Sequence, residues 1–227
     1  MAVRVFSWGP AIAYHVVIAQ PGDCGCGCER VGKSVPQFMD VNRVGRENSA
    51  MEITTGVATD ADAVAELHTA SWRRAYVTLF PVQYLDGPLL AERQQVWQAR
   101  LAEPVPGAAL FLAMETSVLL GFVYLEPQPD GRVLLNNLHA RPGDTGRGLG
   151  RRLLGHALAW SATAHPGQDV YLQVLQGNTR AVAFYERHGG RRTATRICRF
   201  DQGFELPEFE YTWPASVPAS TRSPAHR

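Results

Sequence analysis

The chain has 227 residues, a formal net charge of +1 and 45% apolar side chains. That length holds one large domain or two small ones, with ample material for a core. So balanced a charge supplies no field to recruit nucleic acid or an anionic membrane surface. No apolar run approaches the roughly 20 residues of a membrane-crossing helix, so neither partner is expected.

Residues 1–50 mix glycine, proline and polar side chains without sustained period, and read as a disordered extension. Within them "AIAYHVVIA" is a poor secretion signal, because Pro10 precedes it, His15 interrupts it and "QPGDCG" is a weak cleavage site. The expected compartment is cytoplasmic. Cys24, Cys26 and Cys28 alternate with glycine, a spacing that could chelate a soft metal. No histidine or second cysteine pair joins them at zinc-finger spacing, so no metal is expected. The sharply patterned region starts at Met51, which is also a plausible natural start. A proline- and serine-rich tail closes the chain, so the domain is expected over residues 51–214 and a disordered tail over 215–227.

Between these ends the elements follow closely. "EITTGVA" reads as a first strand. "TDADAVAELHTASWRRAY" reads as a helix, with Thr59 as N-cap and Asp62 three residues on. "LLAERQQVWQARLAE" is a second helix, ended by Pro104. "GAALFLAME" and "SVLLGFVYLEP" are two strands joined by a tight turn at Thr116 and Ser117. "RVLLNNLHA" is a strand stopped at Pro142, and "GLGRRLLGHALAWSATA" is a strongly periodic helix. "DVYLQVLQ" is a strand, "NTRAVAFYERHG" a helix, and "RRTATRICRF" and "EFEYTWP" are two closing strands. Cys198, in the first of these, reads as a small buried hydrophobe. The predicted class is α/β (α+β mixed). A central mixed sheet of six to seven strands would carry helices on both faces, with one parallel pair made by a right-handed crossover.

That crossover contains "TGRGLGRRLL". Glycine at the mouth of a helix costs stability, so either the turn needs unusual dihedrals or something approaches the backbone closely. Unpaired N–H groups there carry the positive end of the helix dipole and make an anion site. The lysine of a Walker loop is missing. The spacing G-x-G-x-G, with Asp169 beginning the next strand rather than ending it, is a poor dinucleotide fingerprint.

Two stretches in order, "NNLHARPGDTGRGLGRRLL" and "VLQGNTRAVAFYERHGGRR", resemble the coenzyme A-binding motifs of the GNAT acetyltransferase superfamily. "LHTASWRRAY" is similar to the first helix of many members, so the resemblance spans about residues 52–213. It implies transfer of an acetyl group from acetyl-CoA to a primary amine of a small molecule or peptide. A non-catalytic acyl-CoA-binding module of the same fold is the alternative. Carried over position by position, Leu138, His139 and Ala140 would bond the pantetheine arm and polarise the thioester through backbone N–H groups. Gly146, Arg147, Gly148, Leu149, Gly150, Arg151 and Arg152 would wrap the pyrophosphate. Asn178 would bind the pantetheine arm or cap its helix, and Tyr185 would protonate the departing thiolate or pack on the sheet. Thr145 stands where relatives carry Arg or Gln. Trp72, Tyr76 and Tyr84 would wall the acceptor site, or belong to the core. For the general base, Glu126 and His139 are the nearest candidates in sequence. A homodimer is compatible with the resemblance.

Overall fold

The computed structural model describes residues 51–144, 146–200 and 203–215. The elements in chain order are β1 (Glu52–Thr55), α1 (Ala61–Ala75), α2 (Val82–Leu85), α3 (Leu89–Ala102), β2 (Ala109–Glu115) and β3 (Val118–Pro127). There follow β4 (Val133–Ala140), α4 (Leu149–Ala164), β5 (Val170–Leu175), α5 (Thr179–Arg187), β6 (Arg191–Arg199) and β7 (Glu205–Trp213). One seven-stranded sheet runs in the order β1-β2-β3-β4-β5-β7-β6. β4 and β5 are parallel and every other neighbouring pair is antiparallel. The mixed sheet expected from the sequence is therefore present.

Strand alternation sorts the two faces. Leu110 and Leu112 of β2 and Phe122 and Tyr124 of β3 pack with Val64, Ala65 and Leu67 of α1 and Trp97 of α3. Phe111, Ala113, Val123 and Leu125 turn the other way, onto Leu149, Leu153, Leu154 and Ala157 of α4. A third cluster, aromatic, gathers Trp72, Tyr76 and Phe80 with Leu175, Cys198 and Phe200 where the chain leaves α1. The β2–β3 turn places Thr116 at φ 46° and Ser117 at φ 63°, the two left-handed residues a two-residue hairpin with right-handed strand twist demands.

Two local readings need correction. Thr59 is not a helix cap: residues Ala58–Asp60 form a short 3₁₀ turn ahead of α1, and the Val57 N–H donates to the Asp60 carboxylate at 2.8 Å. The one-turn helix α2 carries no periodic signal and was not anticipated. The expected extension over residues 1–50, with its three cysteines, lies outside the described residues, as do residues 216–227 of the expected tail. Ala215 is held in place, its N–H donating to Asp169 Oδ1 at 2.8 Å.

Candidate active site

The sequence "LLNNLHA" breaks strand alternation with two adjacent asparagines, and the structure answers with a bulge. Tyr124 pairs with Asn137 and Leu125 with Leu135, so Asn136 is the extra residue of β4. One residue of offset reverses which side chains face which way. Val133, Leu135, Leu138 and Ala140 all stay in the core under α4, while Asn137 and His139 turn toward α1 and α3. Asn137 Oδ1 accepts from Arg100 of α3 at 3.2 Å, and His139 Nδ1 lies 3.1 Å from Ser71 Oγ of α1.

The same strand opens a gap. Its parallel ladder with β5 holds only Val133↔Val170 and Leu134↔Tyr171, whereas β5 stays paired with β7 along its whole length. Residues 135–140 of β4 thus part from residues 172–175 of β5. The Val133 N–H points to β5, donating to Asp169 O, and the Arg141 N–H points to β3, donating to Leu120 O. Backbone groups alternate sides along a strand, so those of Leu138 and Ala140 turn toward the gap. His139, the middle residue of the expected trio, turns its backbone to β3 and its side chain to α1, and has neither group there.

Both crossover helices begin at the open end, the usual place for a ligand in a parallel sheet. Gly146 at φ 91° and Gly148 at φ 77° are left-handed, and Gly148 is the N-cap of α4. A Cβ built on either meets no atom within 4 Å. The glycines therefore answer a dihedral requirement and leave the turn open on its outer side. No side chain caps α4, so its first N–H groups remain available to an anion. Leu149 is buried under the sheet, Gly150 is half-buried and Arg151 is exposed. The arginines expected to surround the turn are partly committed elsewhere. Arg147 is bound by Glu115 at 2.7 Å and Asp144 at 3.3 Å, and Arg152 donates to the Met51 carbonyl at 2.7 Å. Thr145 lies outside the described residues.

At the start of α5, Asn178 Oδ1 accepts the Ala181 N–H at 3.2 Å, so the cap reading holds. The same side chain contacts the Tyr76 hydroxyl, whose acidity burial strongly suppresses. Tyr185, fully buried, packs against Phe184, Tyr211 and Trp213. Its hydroxyl has no hydrogen-bond partner, and burial, with Tyr76 beside it, raises its pKa well above the ordinary value. It is thus a neutral phenol. Trp72 and Tyr76, expected as an acceptor wall, are buried in the third cluster, with Tyr84 half-buried at its rim. Beside Asn178, a cavity of about 480 Å³ is lined by Leu79, Leu175, Gln176, Gly177, Leu206 and Pro207.

Of the two base candidates, His139 is fully buried. Burial above all, then the nearby Arg93 guanidinium, pushes it down to about 3. Glu126 is half-buried, pairs across β3–β4 with Leu134, and its Oε1 accepts Asn136 Nδ2 at 2.6 Å. Among the described residues no three His, Cys, Asp or Glu side chains gather as they would around a metal ion.

A mixed seven-stranded sheet, opened between its parallel strands and flanked on both faces by helices, is the acyl-CoA N-acyltransferase architecture. The sequence profile of the acetyltransferase (GNAT) family matches residues 64–190, more than half of the chain, and the chain belongs to that family. No curated protein matches it. Among solved structures it is similar to the PaiA N-acetyltransferase of Thermoplasma acidophilum in complex with coenzyme A. The identity is 18%, covering 70% of this chain and 98% of that one, with a TM-score of 0.56. YncA of Salmonella typhimurium, with its cofactor acetyl-CoA, is 17% identical over 76% of this chain and 98% of its own, with a TM-score of 0.57. The ribosomal-protein-S18-alanine N-acetyltransferase of Escherichia coli is 20% identical over 76% and 98%, with a TM-score of 0.55.

Proposed function

We propose that the protein transfers an acetyl group from acetyl-CoA to a primary amine. The observation that carries this reading is the gap between β4 and β5 with the uncapped glycine turn at its open end, and the buried, unpartnered Tyr185 hydroxyl supports it. The pyrophosphate lies on the α4 N-terminus, where backbone N–H groups and the helix dipole favour negative charge. The pantetheine arm occupies the gap, extending the edge of β4 by hydrogen bonds to its backbone. A backbone N–H there faces the oxyanion that develops as the thioester is attacked. No metal is needed for any of these steps.

An alkylammonium must lose a proton before it can attack. Glu126 takes it, directly or through one water, held in position by the Asn136 amide. The amine then adds to the thioester carbonyl, the second proton passes from nitrogen to Glu126, which has returned the first to solvent, and the C–S bond breaks as the carbonyl re-forms. The thiolate takes the Tyr185 proton, which solvent restores. The apolar cavity beside Asn178 receives the non-polar part of the acceptor. No helix among the described residues is long and apolar enough to cross a membrane, which is compatible with work on soluble acceptors in the cytoplasm.

The test is a thermal-shift panel of coenzyme A, ATP and NAD, followed by an amine screen for thiol release. Coenzyme A should raise Tm where the nucleotides do not. Gly148→Asp should abolish that shift, because a side chain at φ 77° is strained and its carboxylate opposes the phosphates. Coenzyme A binding without thiol release from any amine would favour the non-catalytic alternative.

A further inference from the structure

Arg147 is paired with two carboxylates, whereas Arg152, engaged with a carbonyl, and exposed Arg151 keep their charge, so positive charge for an anionic ligand is reduced at the glycine turn. It is in surplus at another junction of the same end of the sheet. The last turn of α1 meets the first turn of α5 there, with Tyr76 against Asn178. A Cβ on Gly177 would lie 2.5 Å from Leu79 Cδ2, which shows how closely the segments pack. Arg74 lies two residues before Tyr76 and Arg180 two residues after Asn178, on the two segments that this packing joins, and each guanidinium lies within the other's field. Arg180 Nη2 is buried and has no hydrogen-bond partner. Among the described residues no carboxylate pairs with either arginine. Burial, and then the Arg74 charge, lowers the Arg180 pKa.

A guanidinium with a buried, unsatisfied N–H in the first turn of a helix, with a second arginine in its field, forms an arrangement that an anion completes. A buried N–H without an acceptor is unfavourable, and like charges repel until an oxyanion lies between them. Arg180 also sits where the α5 dipole is positive, which adds to the preference.

We propose that Arg74 and Arg180 form an oxyanion subsite at the mouth of the β4–β5 gap, holding an anionic group of one of the two substrates. The assignment rests on the acetyltransferase reading. The oxyanion is either a phosphate of coenzyme A or a carboxylate carried by the amine acceptor, and a guanidinium pair suits both.

Two arms of one experiment separate the sources, using the full chain with Arg180→Gln, Arg74→Gln and the charge-retaining Arg180→Lys. In the first, affinities for coenzyme A, 3′-dephospho-coenzyme A and pantetheine are measured by calorimetry. In the second, kcat/KM is compared for amines with and without a carboxylate. If the phosphate is the ligand, Arg180→Gln weakens coenzyme A about tenfold and leaves pantetheine unchanged, the discounted effect of a half-exposed charged contact. If the acceptor supplies the ligand, the same substitution lowers kcat/KM about tenfold for carboxylated amines alone. Either result supports the subsite, and partial rescue by Arg180→Lys separates a charge effect from a packing one. Wild-type behaviour of both Gln variants in both arms would overturn it while leaving the transferase reading intact. A wild-type chain that binds no coenzyme A would end that reading and the subsite with it.

Discussion

At the scale of single residues, the proposed acid, Tyr185, is a phenol that burial keeps protonated. Tyr185→Phe keeps the ring that packs on Tyr211 and Trp213 and removes only the proton. Coenzyme A affinity should therefore hold while kcat falls. Thiolate is already a good leaving group, with a thiol pKa near 8.5 taking cysteine as the guide. The expected loss is thus on the order of 10- to 100-fold, at or below the low end for a positioned acid. Steady-state kinetics across pH, with binding measured separately, decide it, and wild-type turnover at every pH would remove Tyr185 from the mechanism. Glu126→Gln keeps a partner for Asn136 but cannot accept a proton. Turnover should fall by about 100-fold near neutral pH. The deficit should narrow as pH approaches the acceptor's own pKa, about 10 for an alkylamine, because the amine then arrives already neutral. A pH profile parallel to wild type would assign the base elsewhere.

At the scale of elements, α1, α3 and β4 are joined by a buried histidine pair. Trp97 Nε1 of α3 donates to His68 Nδ1 of α1 at 3.0 Å, and the His68 and His139 rings lie 4.4 Å apart. An indole N–H only donates, so His68 must be neutral, with its proton on Nε2. Burial first, then His139 and the nearby arginines, drives His68 well below its usual value, and His139 is pushed down to about 3. Below the ordinary value near 6.5 the unfolded chain binds protons that the native state refuses. Stability from this contact is therefore full above that value and declines as pH falls toward 3. The decline approaches about 1.4 kcal/mol per pH unit for each histidine. Urea unfolding between pH 7 and pH 5 should show this slope, and His139→Gln should remove about half of it. A slope unchanged by that substitution would mean the acid sensitivity lies elsewhere.

At the scale of the molecule, the described sheet begins at β1. The Met51 carbonyl is held by Arg152, and β1 pairs with β2 from Glu52. A chain beginning at Met51 should fold with an unchanged Tm and keep its coenzyme A shift. Differential scanning calorimetry with and without ligand is the measurement. An insoluble or ligand-blind product would mean that residues 1–50 contribute to the domain, and their cysteines would then need another role.

Local chemistry determined much of this by itself. The hairpin at Thr116 and Ser117, the apolar stripe of α4, the cap at Asn178 and the glycine turn are short-range events. Each is written in the dihedrals and spacing of adjacent residues, which is why the order of the elements and the family motifs were legible in the chain. Three things were decided only by tertiary packing. The bulge at Asn136 reversed the facing of Asn137 and His139; two adjacent polar residues in an apolar strand were its one local sign. Arg147, which the family resemblance assigned to a pyrophosphate, was claimed by Glu115, distant in sequence but close in space. Arg74 and Arg180 came into each other's field because the segment after α1 packs on the segment before α5, Leu79 against Gly177, and no periodicity in either helix encodes that packing. The physical reason is common to all three. Secondary structure follows from interactions a few residues long, whereas burial, charge pairing and the resulting protonation states depend on which distant groups the packed sheet brings within a few ångströms of one another.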